Sequence, residues 1–230
     1  MIQRHFTDIA SIYGRMNRLL SLGLDRHWRR KALLLVPSCH PRHIIDLATG
    51  TGDLAFLLAE HFTEANVLGI DFTPAMLKIA RSRNTCPRVT FAEADAQAFR
   101  VPLACKDAST DLVTCAFGFR NFPNRTAAIQ ECTHILRPNG KLLVLEFFRP
   151  KYRLLGALTD LWILTLTRLF APSCRSAYAH LRESMRETCS EDAFIQEAEA
   201  RGLKFAGRHF FPPACTALLF NRETDRQAGP

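Results

Sequence analysis

A chain of 230 residues, 47% apolar and 23% charged, is long enough for one α/β domain with appendages and needs no disulfide staples. That composition excludes a wholly disordered chain, and no run reaches the roughly 20 apolar residues of a membrane span. The formal net charge of +8 favours anionic partners, but the charge is dispersed. No interleaving of aromatic and basic residues marks an RNA surface, so no nucleic-acid partner is expected.

The first 36 residues read as a helical cap, because Ile9, Ile12, Met16, Leu19 and Leu20 recur at helical spacing. The densest basic run, Arg26-His27-Trp28-Arg29-Arg30-Lys31, reads as a solvated helix face, with contact to a membrane surface as the sharper alternative. Pro37-Ser38-Cys39-His40-Pro41 breaks the helix. Strand and helix then alternate. Strands are expected at 43–48, 66–70, 89–91, 112–116 and 141–146. Helices are expected at 54–62, from Thr73-Pro74 onward, and at 127–136, the last closed by the turn Arg137-Pro138-Asn139-Gly140. Short continuous apolar strands alternating with helices imply a mostly parallel sheet covered on both faces. Leu154 to Phe170 reads as an amphipathic or buried helix within a helical insertion at 151–187. A further helix at 190–200 and two last strands, Lys204-Phe205 and 214–220, follow. The expected organisation is a single domain over 1–221, with 222–230 a disordered tail.

Eight cysteines are scattered along the chain without a C-x-x-C pair, so no metal site is expected. Arg4, His5 and Asp8 interrupt the start where a secretory signal would need an apolar run. Reduced thiols and a cytoplasmic location fit both features.

The strongest local signal is Asp46-Leu47-Ala48-Thr49-Gly50-Thr51-Gly52-Asp53, in which a strand ends, glycines follow and a helix begins. Gly50 and Gly52 permit a tight turn and close approach of a ligand beyond the strand's carboxyl end. Asp71 ends the next strand about 20 residues later, where a carboxylate can accept both ribose hydroxyls of an adenosine cofactor. That pair suits NAD as well as S-adenosylmethionine (SAM). Asp53 at the helix start favours the helix dipole but would repel a pyrophosphate. The loop is neither G-x-G-x-x-G nor a P-loop. SAM carries a sulfonium and no phosphate, so acids beside the loop are acceptable. Asp95, with Ala96, follows the third strand and offers an acceptor for an adenine amino group. A Rossmann-type dehydrogenase and a non-catalytic binding module remain open on these residues alone.

With these segments assembled, the chain resembles the UbiE-type C-methyltransferases of menaquinone and ubiquinone synthesis from Phe6 to about Phe220. The resemblance rests on Tyr13-Gly14-Arg15-Met16-Asn17, on Asp46-Leu47-Ala48 with Gly50-Thr51-Gly52-Asp53, and on Asp71 with Met76-Leu77. It also rests on Phe117-Gly118-Phe119-Arg120-Asn121, on Leu136-Arg137-Pro138 with Gly140, on Leu145-Glu146-Phe147, and on Tyr178, Leu181, Glu183-Ser184 and Arg186. It implies a Rossmann-like class I SAM-dependent methyltransferase fold with a seven-stranded, mostly parallel sheet. The cofactor would be SAM, with S-adenosylhomocysteine (SAH) as product. The acceptor would be a lipid-tailed quinol, methylated on carbon. Asp46, Gly50, Thr51, Gly52, Asp71, Phe72, Met76, Asp95, Ala96 and Ala116 would form the cofactor site. Arg120, Asn121 and Tyr13 would stand at the acceptor, through an arginine-bound water as base or by stabilising a phenolate-like oxygen. The chain departs from the family at Gly14, Thr49 and Ala116, where an aspartate, a glycine and a serine are usual. A homodimer and peripheral contact with the inner face of a membrane are further expectations.

Overall fold

In the computed structural model, residues 21, 23–37, 40–100, 103, 105–149, 161, 165, 187–212 and 215–223 are described. Tyr13 and most of the stretches expected to be a helical cap and a helical insertion lie outside them. The elements, in chain order, are α1 (Leu24–Leu33), β1 (His43–Leu47), α2 (Asp53–His61), β2 (Asn66–Asp71), α3 (Pro74–Arg83), β3 (Val89–Glu93) and β4 (Thr110–Ala116). A 3-10 turn (Phe119–Asn121) follows, then α4 (Arg125–Ile135), β5 (Leu136–Phe147), α5 (Glu191–Glu199), β6 (Leu203–Phe211) and β7 (Cys215–Arg222).

The sheet has seven strands in the order β3-β2-β1-β4-β5-β7-β6. The first five are parallel, and β7 pairs antiparallel with both β5 and β6. Successive side chains of a strand point to opposite faces, so each central strand feeds two cores. On one face Ile45, Val144, Leu142 and Phe220 pack with Ile129 and Cys132 of α4 and Phe194 of α5. On the other, Ile44, Leu143, Leu145 and Leu219 pack with Trp28 and Leu33 of α1 and Leu54 and Leu58 of α2. This two-sided burial makes the strands apolar runs rather than alternating ones. The helix starts are built locally: Asn124 caps α4 by accepting from the Ala127 N–H, and Ser190 caps α5 by accepting from that of Ala193.

Three boundaries differ from the sequence expectation. Leu136 already pairs with Thr110, and the ladder slips between Thr110 and Leu112, so the expected turn at 137–140 is an outpouching within β5. There Asn139 takes φ +62°, and a Cβ on Gly140 would lie 2.8 Å from the Arg137 carbonyl oxygen. The last two strands are longer than expected because each pairs along almost its whole length with the other. Arg222 belongs to β7, its Nη1 donating to the Leu136 carbonyl, so the chain stays ordered past the expected start of the tail.

The six described cysteines are free thiols, and burial pushes those of Cys115, Cys132 and Cys215 upward. Among the described residues no cluster of metal-ligating side chains occurs, and no helix is long and apolar enough to cross a membrane.

Candidate functional site

Strands β1 and β4 lie side by side, with β2 beyond β1 and β5 beyond β4. Connections therefore leave their carboxyl ends in opposite directions, which opens a crevice at the switch in strand order. Two adjoining clefts occupy it. One, of about 330 Å³, is lined by Arg29, Asp46, Ala48, Thr49, Gly50, Thr51, Asp53, Leu54 and Ala116. The other, of about 440 Å³, is lined by residues that include Gly50, Asp71, Phe72, Thr73, Met76, Phe117 and Asn121.

The glycine loop owes its course to two left-handed residues, Ala48 at φ +50° and Gly50 at φ +57°. Thr49 between them is not left-handed, so this position of the turn has no need of glycine. Its hydroxyl donates to Asp46 Oδ2 at 2.6 Å and its N–H to the Ile70 carbonyl at 3.0 Å. Room for that hydroxyl comes from Gly69, the β2 partner of Asp46, where a Cβ would lie 2.9 Å from Thr49 Oγ1. Gly52 meets a packing demand as well. It opens α2 at φ +83°, and a Cβ there would press on Phe56 and Phe91 at 2.9–3.0 Å. Both the positive φ and the close phenylalanines call for glycine there, and Gly52 lines neither cleft.

Asp46 is buried at the floor. Thr49 and, from β4, Thr114 donate their hydroxyls to its two oxygens at 2.6 and 2.7 Å. Desolvation dominates these bonds and raises its pKa from 3.8 to about 6. Asp71 accepts the Gly50 N–H on one oxygen and the Thr73 N–H on the other, both at 2.8 Å. Burial again raises its pKa, against the pull of those backbone donors. Both oxygens of Asp71 thus carry a backbone donor, and Asp71 also lines the larger cleft. Asp95 is exposed and turned to Gln97, whose N–H and side-chain amide it accepts at 2.9 Å. Neither Asp95 nor the buried Ala96 lines the two clefts, whereas Ala116 lines both.

The Phe117-Gly118-Phe119-Arg120-Asn121 segment is a strained turn held by its own polar residues. Phe117 sits at φ +62°, a conformation that is rare for a bulky side chain and persists only when its surroundings enforce it. Its carbonyl accepts from Arg120 Nη1 at 2.9 Å and from Asn121 Nδ2 at 3.3 Å. Gly118 follows because a Cβ there would lie 2.7 Å from Cys115 Sγ and 2.8 Å from Ala48 Cβ. The two switch-point loops thus touch at Ala48 and Gly118.

The Arg120 guanidinium, expected at the acceptor, is buried and paired through Nη1, while its Nε–H has no hydrogen-bond partner. Nη1 also donates to Glu146 Oε1 at 2.6 Å, and the two side chains are 8% and 1% exposed. The guanidinium lies 5.8 and 5.7 Å from the centroids of the Phe117 and Phe147 rings, which stack on each other at 5.0 Å. Arg120 lines neither cleft; Asn121 lines the larger one.

Arg29 is the residue that sequence reasoning missed. It belongs to the basic run expected to be solvated, yet it is buried in the smaller cleft beside Asp46, with its guanidinium 5.2 Å from the Phe117 ring centroid. The available signal was periodicity: Trp28, Arg29, Ala32 and Leu33 are the buried residues of α1.

Fold and cleft together define a class I methyltransferase. The glycine loop approaches the cleft without Cβ at Gly50, and three carboxylates, Asp46, Asp53 and Asp71, against one cation, Arg29, line the two clefts, which suits a sulfonium cofactor better than a pyrophosphate. Residues 1–218 match the ubiE/COQ5 methyltransferase family, and the chain belongs to that family. It is 37% identical to a demethylmenaquinone methyltransferase of Deinococcus radiodurans, covering 88% of this chain and 85% of that one. It is 35% identical to the ubiquinone/menaquinone biosynthesis C-methyltransferase UbiE of Geotalea uraniireducens, covering 91% and 90%. The fold is shared with the arsenic(III) S-adenosylmethionine methyltransferase CrArsM of Chlamydomonas reinhardtii at a TM-score of 0.59, with 18% identity over 87% of this chain and 74% of that one. The chain is thus a SAM-dependent methyltransferase, and the dehydrogenase alternative falls away.

Proposed function

We propose that this enzyme methylates a ring carbon of a demethylated quinol, with demethylmenaquinol as the first acceptor and the 2-polyprenyl-6-methoxy-1,4-benzoquinol precursor of ubiquinone as the second. The observation that carries this reading is the shared crevice. Asp71, Phe72 and Met76 line it together with Ala116, Phe117, Gly118 and Asn121, in a chain whose relatives are named for quinone methylation.

SAM, when bound, supplies an electrophilic methyl group on its sulfonium. Asp71, which lines the larger cleft, would accept the ribose hydroxyls. Gly50, Thr51 and Ala116 would present backbone edges to the bound cofactor and Phe72 and Met76 would pack on its adenosine, with the Asp95-Ala96 segment, outside both clefts, the acceptor assigned to the adenine edge by resemblance. Asp46 lies where the amino-acid end enters. Asn121, which lines the larger cleft, would face the acceptor, and Tyr13, assigned there by resemblance, lies outside the described residues. Arg120 acts one step back, by fixing the Phe117 carbonyl and the turn that carries Asn121. The acceptor's ring carbon forms the new C–C bond as the methyl–sulfur bond breaks, and the ring proton then passes to water. Alignment of carbon, methyl and sulfur is the main catalytic contribution, worth roughly 7–11 kcal/mol in well-oriented systems. Peripheral contact with a membrane follows from a lipid-tailed acceptor.

Incubation with methyl-labelled SAM and a panel of demethylated naphthoquinols and benzoquinols tests the proposal. The expected result is label on a ring carbon, with the naphthoquinol preferred. SAM binding without transfer to any quinol would overturn it.

A further inference from the structure

The smaller cleft contains an arginine that the fold holds but does not satisfy. Arg29 Nη1 is committed to Asp25 Oδ2 at 2.6 Å, one turn earlier on α1, and Asp25 in turn accepts from the Ser21 hydroxyl at 3.2 Å. The Arg29 side chain is 7% exposed, and its Nε–H is buried without a hydrogen-bond partner. A buried guanidinium N–H left unpaired is costly. Arginine's planar fork is built to engage a carboxylate through two parallel donors. Arg29 is the one cation among the described residues lining the two clefts, whose acids are Asp46, Asp53 and Asp71. It stands beside Gly50 and Thr51 rather than beside Asp71, Phe72 and Met76, so it lies at the end of the crevice away from the proposed ribose and adenine contacts.

We propose that Arg29 binds the α-carboxylate of the cofactor's amino-acid end, while Asp46 balances the α-ammonium. A zwitterion would thus meet one cation and one anion across the same cleft. Asp25 and the Phe117 ring hold the guanidinium in place, so the carboxylate meets a preorganised donor. The inference rests on SAM being the cofactor and extends that reading to a specificity determinant: the enzyme selects adenosyl thioethers that carry an intact amino acid.

Calorimetric binding of SAH, of 5′-methylthioadenosine, which lacks the amino acid, and of decarboxylated SAH tests it without any quinol. Wild-type protein should bind decarboxylated SAH about 10- to 100-fold more weakly than SAH. Arg29→Gln should weaken SAH by a similar factor and leave 5′-methylthioadenosine within about threefold, while Arg29→Lys should recover part of the loss. Equal weakening of SAH and 5′-methylthioadenosine by Arg29→Gln would mean that Arg29 merely supports the fold, and would overturn the inference. Equal wild-type affinity for SAH and its decarboxylated analogue would overturn it too, even if the variants do not fold. Absence of SAH binding by wild-type protein would instead sink the cofactor reading itself.

Discussion

The Arg120 guanidinium and the Glu146 carboxylate meet at 2.6 Å inside the protein, joining the turn after β4 to the end of β5. Glu146 also accepts the backbone N–H groups of Arg120 at 3.2 Å and Phe147 at 2.8 Å. Truncating one member of such a pair leaves the other charge buried and uncompensated, which costs about 3–5 kcal/mol. Glu146→Ala should therefore lower the melting temperature by on the order of 10 °C. Glu146→Gln, which keeps an acceptor, should lose less. Thermal unfolding of both variants beside wild type is the check. A change of less than about 1 °C in Glu146→Ala would show that the pair is not a net support of the fold.

The contact of Gly118 with Ala48 couples the two loops that frame the crevice. A methyl group at Gly118 must displace Cys115 Sγ or Ala48 Cβ, both nearer than 3 Å. Overpacking of this kind costs about 1–3 kcal/mol. Gly118→Ala is expected to fold with reduced stability and to weaken SAH binding, because Ala48 carries one of the left-handed turns of the cofactor loop. Unaltered SAH affinity in a destabilised Gly118→Ala protein would show that the loops are mechanically independent.

What was legible in the sequence follows from burial physics. Two-sided burial made β1, β2, β4 and β5 readable as apolar runs, and acids at strand ends marked Asp46 and Asp71. What was not legible depends on partners remote in the chain. The pairing of Arg120 was not legible because Glu146, its partner, is 26 residues away on another strand. Arg29 looked solvated because its burial depends on Phe117, which a later loop brings over it. The packing demand on Gly52 was only half legible, because Phe56 is near in sequence while Phe91 lies on β3. Local pattern identifies which elements form; it does not say which side chain a distant element will cover.

The raised pKa of Asp46 gives cofactor binding a pH dependence with a definite sign. Burial lifts it to about 6, Asp71 adds to the rise, and the charge of Arg29 and the hydroxyls of Thr49 and Thr114 oppose it. An acid whose folded pKa lies above its unfolded value stabilises the fold most below the unfolded value, and that contribution is lost as pH rises through about 6. Ligand binding runs the other way. An ammonium beside Asp46 prefers the carboxylate, so SAH affinity should rise with pH and level off above about pH 7, being about tenfold weaker at pH 5. Asp46→Asn should flatten this profile. A wild-type affinity constant between pH 5 and 7.5 would place the ammonium away from Asp46.

Asp71 predicts a different ligand signature from Arg29. Its two oxygens face two backbone N–H donors, from Gly50 and Thr73. An asparagine presents only one acceptor atom, so one N–H would meet an NH₂ group and lose its bond. Hydrogen bonds to a charged acceptor are worth about 1.5–3 kcal/mol, which corresponds to roughly 10- to 150-fold in affinity. Asp71→Asn should therefore weaken SAH and 5′-methylthioadenosine alike, since both carry the ribose, with kcat for methyl transfer less affected than KM for SAM. The comparison is decisive when run with Arg29→Gln in the same calorimetric series. Loss confined to SAH in Asp71→Asn would move the ribose off Asp71 and reverse the assigned orientation of the cofactor in the crevice.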